Sequence, residues 1–187
     1  MASYLLPISD RDALAWILRE ERTALPAHRR GDASRLEAGD RLLLYTTRGC
    51  FRNPTRDRGR VIGVATVARE PRDLDEPVHF GDREYAIGID FQLDVLLPRD
   101  GGVELAPLVP KLRESFPNQR AWSARLRRAL VPVTPRDAAK LERQLMRSTA
   151  PRVADAVDTY LRSATGRSAG ADAPAAQGSL LTGRFLH

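Results

Sequence analysis

The chain has a single cysteine, Cys50, in 187 residues. This excludes an internal disulfide and any zinc site built from several cysteines, and it fits a reducing compartment, so the cytoplasm is the expected location. The three histidines, His28, His79 and His187, lie far apart without helical pairing, so no metal is expected. No apolar run approaches a membrane span, and the short run over 4–8 gives way at once to Asp10 and Asp12, so neither a signal peptide nor a membrane partner is expected. No glycine-rich phosphate loop is present, since Gly101-Gly102 sits in a hairpin-like turn without a following helix. The surroundings of Cys50, Gly49-Cys50-Phe51, do not match a nucleophile elbow. Flanking Arg48 and Arg52 could lower its pKa, but an ordinary loop thiol is the favoured reading. Neither a catalytic residue nor a cofactor is expected.

Lysine is nearly absent as well: Lys111 and Lys140 are the only two among 30 basic residues. Against 24 acidic residues the balance is +6, with an isoelectric point near 10.2, which favours an anionic partner such as nucleic acid. Abundant Ala and Arg with scarce Ile and Asn is what GC-rich coding DNA produces, so base composition explains part of the arginine excess. It does not dictate the crowding of Arg48, Arg52, Arg56, Arg58 and Arg60 into one loop. That loop either touches phosphates or is solvated and mobile.

With 42% hydrophobic residues the chain can bury one sizeable core, with room for an appendage. A strand is expected over 3–8 and a helix over 10–21, capped by Ser9 with Asp12 three residues on. Leu14, Ile17 and Leu18 form its apolar stripe, and Trp16, off the stripe's centre, is read as edge-of-core packing. Residues 23–34 read as a polar connection. Gly39-Asp40 makes a turn feeding a buried strand over 42–45, answered by a second strand over 61–67. Residues 83–97 alternate almost completely, with Tyr85, Ile87, Ile89, Phe91, Leu93, Val95 and Leu97 on one face, as in a long strand bending round a small barrel. Short helices are expected over 107–114 and, capped by Asn118, over 119–129, then a strand over 130–133 and amphipathic helices over 135–147 and 151–163. From residue 164 the composition becomes Ala, Gly, Ser, Thr and Pro, a flexible tail to 187 whose apolar end is a candidate for docking on the body or a protein partner.

The remaining chemistry is that of a binding pocket. A flat base is held by stacking and read by hydrogen bonds along its edge, and Trp122, Tyr45, Thr46, Thr47 and Ser9 supply those groups. From periodicity alone, Trp122 reads as core.

The order Gly39-Asp40 to Tyr45, Ile62-Gly63 with Glu70-Pro71 after it, the long strand from Tyr85 to Leu97, Phe116, Trp122 and then Thr134-Pro135-Arg136-Asp137 resembles the EVE domain of the PUA-like superfamily. The resemblance covers roughly residues 2–147. It implies an α+β fold, a PUA-like small mixed β-barrel flanked by α-helices, with residues 1–147 as the EVE domain, 148–163 as a helix packed on it and 164–187 as the tail. It also implies a non-enzymatic module that holds one nucleobase, typically a modified one such as a methylated base, flipped from DNA or RNA. The pocket would comprise Trp122 as the stacking face, Tyr45, Thr46, Thr47 and Ser9. Relatives place a second aromatic after the first helix, where this chain offers only Leu25, Pro26 and His28. Arg48, Arg52, Arg56 and Arg125 would grip the nucleic-acid backbone. The alternatives are a hydrolase on the same barrel, drawing on Lys111, Tyr4, Glu104 and Asp90, which show no diagnostic spacing, and a protein-interaction module.

Overall fold

The structure, a computed structural model, describes residues 1–165 apart from Pro54, Asp100 and Thr149. Elements follow in the order β1 (Ser3–Ile8), α1 (Arg11–Glu20), β2 (Arg22–Leu25), α2 (Arg30–Ala33), β3 (Arg41–Thr46), β4 (Arg60–Val67), β5 (Arg72–Phe80) and β6 (Arg83–Leu96). Then come β7 (Val103–Glu104), β8 (Val131–Val133), α3 (Pro135–Leu145) and α4 (Val153–Thr165). Three 3-10 turns, Ala27–Arg29, Ala106–Lys111 and Trp122–Arg127, lie between them.

The strands form one curled mixed sheet in the order β2-β6-β4-β3-β1-β8, with β5 also on β6 and β7 also on β4. β1 and β3 run parallel, with Leu5 opposite Leu43, and the other pairings are antiparallel. The expected long strand is β6. Its first half pairs with β2 and β5 and its second half with β4, so one bent strand carries the sheet round into a half-barrel.

Because side chains alternate across a strand, β1 and β3 feed two cores. Leu6, Ile8, Leu42 and Leu44 join Leu14, Ile17 and Leu18 of α1 with Ala156 and Tyr160 of α4 inside the curl. Leu5, Leu43 and Tyr45 join Val61, Val64, Phe116, Leu141 and Leu145 on the other face, under α3. At the turn into β3, Gly39 takes φ +89, which a side chain would resist. Asp40 follows it, buried, accepting from the backbone N–H of Ala2 at 2.6 Å and of Glu37 at 3.0 Å.

Several elements differ from expectation. α1 is capped by Asp10 rather than Ser9: Asp10 is the extended residue, and its carboxylate accepts from the amides of Asp12 and Ala13. β2 occupies part of the supposed polar connection, and its four residues are too few to show a period. β5 was hidden by its own composition, charged, mostly exposed and containing Pro77; its pairing breaks register between Asp73 and Val78, as tolerated at an edge. The helix expected over 119–129 reduces to one 3-10 turn, although Asn118 does accept from the Ala121 amide at 3.1 Å. No residue of that turn is fully buried, so no apolar stripe holds a longer helix in place.

α4 packs through Ala156 and Tyr160, whose hydroxyl donates to the Leu97 carbonyl at 3.0 Å. It runs to Thr165, and the rest of the expected tail lies outside the described residues.

Candidate functional site

The end of β1, the first turns of α1, β2 and the β5–β6 hairpin enclose a cavity of about 380 Å³, within the range of small-molecule sites. Its aromatic wall has three rings: Trp16 from α1, Phe80 from β5 and Tyr85 from β6. Phe80 is the middle ring, 5.7 Å from Trp16 at 68° and 5.5 Å from Tyr85 at 67°. Edge-to-face contacts of this kind fix ring orientation. Ser9, Leu25, Pro26 and the buried Thr23 complete the lining.

The cavity opens onto a wider cleft of about 630 Å³ that shares Ser9, Pro26, Arg83 and Tyr85 and adds Thr47, His28, Arg29, Arg127 and Arg128. The mouth is electropositive. Arg83, Arg127 and Arg128 are exposed and have no ion pair among the described residues, while Arg29 meets Asp32 at 3.4 Å. Two acids line the walls. Glu84 lies in the wider cleft, and Asp10 in the inner cavity is held by the start of α1 and lies 4.0 Å from Arg52. The site can therefore take a flat ring against an aromatic wall and hold an anionic group beside it.

Of the residues read from the sequence as pocket groups, Ser9, Leu25, Pro26 and Thr47 come together here. Tyr45, Thr46 and Trp122 do not line either cavity. Tyr45 falls on the alternate face of β3, buried in the core under α3. Its hydroxyl lies so close to Gly59 that any side chain there would collide with it. Burial pushes its pKa up to about 12, against a smaller lowering by Arg48. Thr46 is buried and donates to the Arg60 carbonyl at 3.3 Å. Trp122 packs on the same core as Tyr45, its ring 6.1 Å from Phe116 at 85°.

The arginines expected on the backbone divide similarly. Arg52, in the left-handed region at φ 60, meets Asp12 at 3.3 Å, and Arg60 meets Glu104 at 3.2 Å. Arg125 lies over Phe116, 6.0 Å from its centroid, with its Nε buried and without a partner among the described residues. Arg48, Arg56 and Arg58 are exposed. The loop is anchored by Phe51, stacked on Tyr160 at 6.5 Å and covered by Arg99 at 4.0 Å. Beneath it Cys50 is fully buried. Burial, with Asp10 and Asp57 adding to it, pushes that thiol up to about 12, against a smaller lowering by Arg99.

The residues considered for hydrolysis are scattered, and none lines the cavity or its mouth. Tyr4 donates to the Arg35 carbonyl at 3.1 Å. Asp90 accepts from Arg22 and Arg69, with Arg72 at 3.6 Å. Burial raises its pKa, but the hydrogen bonds from Arg22 and Arg69 outweigh it and hold the carboxyl below the usual range. Among the described residues no three His, Cys, Asp or Glu side chains are grouped to hold a metal.

Phe80, Tyr85 and Arg83 were missed as site residues. The available signal was Phe80-Gly81-Asp82-Arg83, a two-residue hairpin turn between two runs with aromatic ends, closed in the structure by pairing of Phe80 with Arg83.

No family profile matches the chain, and no curated protein matches it. Solved structures do. A YTH domain-containing protein, Mmi1, in complex with RNA is 11% identical with a TM-score of 0.54, over 77% of this chain and 80% of that one. A protein from Pseudomonas putida is 20% identical with a TM-score of 0.53, over 77% and 99%. Another from Rhodopseudomonas palustris is 18% identical with a TM-score of 0.50, over 80% and 96%. At such identities the likeness concerns the fold. The curled mixed sheet and its flanking helices make the architecture an α+β half-barrel, the fold these neighbours share.

Proposed function

We propose that this protein is a non-enzymatic nucleic-acid reader of the EVE kind, which takes one base out of a strand and holds it in the cavity walled by Trp16, Phe80 and Tyr85. The observation that carries the reading is the three-ring wall opening directly onto a mouth with Arg83, Arg127 and Arg128. A solved structure of similar fold holds RNA. Extruding a base costs a few kcal/mol, and stacking on aromatic side chains returns about 1–3 kcal/mol per base, so the wall and edge hydrogen bonds together offset the cost. In this reading Thr23 and Ser9 in the cavity and Thr47 in the wider cleft read the base edge, and the arginines hold flanking phosphates.

A modified base is the proposed ligand, because Ala13, Leu25 and Pro26 supply apolar surface in the lining, which suits a methyl group. Burying one methyl contributes about 1 kcal/mol, a few-fold preference over the plain base.

The test is calorimetric titration with short oligonucleotides differing in one modified base. Binding that prefers a modified base and weakens in Trp16→Ala is the expected result. Failure to bind every oligonucleotide, plain or modified, would overturn the reading, and turnover of the oligonucleotide would replace it with the hydrolase.

A further inference from the structure

Both lysines of this arginine-rich chain line one cleft. It measures about 250 Å³ and lies between the 3-10 turn Ala106–Lys111 and α3, with Leu108 and Leu112 at its base and Lys111, Lys140, Arg143 and Arg147 around it. Lys140 is structural. Its ammonium donates to Asp137 at 2.8 Å and to the Lys111 carbonyl at 2.6 Å, and Asp137 also accepts the Ser115 amide at 2.9 Å. A compact ammonium can bridge a carboxylate and a carbonyl in this way, where a planar guanidinium fork would impose its own geometry. This contact staples the turn to the helix and sets the width of the cleft.

The other three cations have no carboxylate partner among the described residues. Arg143 donates to the Ala139 carbonyl at 3.2 Å and Arg147 to the Gln144 side chain at 3.5 Å, while Lys111 is exposed. The neighbouring acids are engaged elsewhere: Glu142 faces Arg41 at 3.5 Å and Glu114 faces Arg136 at 3.2 Å. Arg143 stands in the last turn of α3 and Arg147 just beyond its end, and both line the same cleft. Three unbalanced cations over a floor of two leucines suit a chain that alternates phosphate and sugar, and guanidinium forks grip phosphate oxygens two at a time.

We infer that this cleft is a second, sequence-independent contact for a nucleic-acid backbone, separate from the base cavity and on the α3 face of the sheet. The identity of the strand rests on the reader assignment; the anionic character of the ligand rests on the cleft alone.

The experiment compares wild type, R143E/R147E and Trp16→Ala by fluorescence anisotropy against a labelled 20-mer, and by calorimetry against a free modified nucleoside, across a salt series. R143Q/R147Q serves as a second variant in case charge reversal disturbs α3. The expected result is a tenfold or greater loss for the 20-mer in both cleft variants, with nucleoside binding unchanged. For single strands, losing two phosphate contacts should lower the slope of log K against log salt by about 1.4. An unchanged 20-mer affinity and slope overturns the proposal. Equal competition by inorganic polyphosphate at matched charge also overturns it, by making the cleft a general anion site. If the nucleoside fails to bind while the 20-mer still depends on Arg143 and Arg147, the base cavity falls and the cleft stands.

Discussion

The two tryptophans lie on opposite faces of one sheet, and their surroundings show how a barrel leaves a cavity on one side and closes the other. Trp16 stands at the open end of the inner core, beside Phe80 and a cavity. Trp122 stands against Phe116 on a face closed by α3, where Leu5, Leu43, Leu141 and Leu145 are completely buried. The same residue type is thus available to a ligand on one face and occupied with packing on the other. Helices pack on both faces, so what decides between them is whether the packed elements leave a cavity beside the ring.

The largest expected effect breaks the closed face. Phe116→Ala removes a fully buried ring and should cost about 3–5 kcal/mol, measured by urea denaturation, without altering affinity per folded molecule. A comparable loss of stability from Tyr85→Ala, which is only half-buried, would erase the distinction between the faces.

Asp137→Ala comes next, at about 2–3 kcal/mol, because it leaves the buried Ser115 amide without its acceptor and the Lys140 ammonium without its carboxylate. Burial raises the Asp137 pKa, but hydrogen bonds from Lys140 and Ser115 outweigh this and hold it below the usual range. A depressed folded value means that its contribution is complete above the unfolded pKa, about 3.9, and disappears as pH falls through the folded one. Acid unfolding should therefore release the α3 face at low pH, and the Asp137→Asn variant should show a shallower stability loss between pH 5 and 2. An identical acid profile would show that this carboxylate is not involved.

The pair Trp16→Ala and Trp122→Ala sharpens the comparison directly. Loss of the stacking face should weaken base binding by about 1–3 kcal/mol, roughly 5- to 150-fold, for Trp16 alone. Trp122→Ala should lower the melting temperature with affinity within about twofold, since the interaction it loses is the edge-to-face pair with Phe116. The reverse assignment of effects would return the pocket to the Trp122 side. The smallest effect belongs to Arg52→Ala, whose exposed pair with Asp12 contributes about 0.5 kcal/mol or less, read from thermal melts at low and high salt.

The barrel was legible because its evidence is periodic: residues 83–97 alternate, and the runs in β3 and β4 are too apolar for anything but buried strands. The candidate cavity was only half legible. Ser9, Leu25, Pro26 and Thr47 stand at or near strand ends and line it or its mouth. Tyr45 and Thr46 lie away from it, since an unbroken apolar run does not reveal which side of the sheet each residue faces, and Tyr45 packs with Leu43 under α3 while Thr46 is tied to the Arg60 carbonyl. Phe80 was overlooked because β5 carries charge and proline where a strand normally carries β-branched residues. The arginine loop looked uniform, yet Arg52 and Arg60 have carboxylate partners brought from distant segments, which no local pattern shows.

β1 has a consequence in time. It leaves a ribosome before both of its partners, for it lies between β3, which follows some forty residues later, and β8 at Val131–Val133. At about 5–20 residues per second of synthesis, one edge of β1 waits on the order of ten seconds for its final partner, with an apolar strand exposed meanwhile. Nascent chains arrested before residue 131 should therefore be protease-sensitive and bind chaperones, and chains arrested far enough beyond residue 133 for β8 to clear the exit tunnel should not.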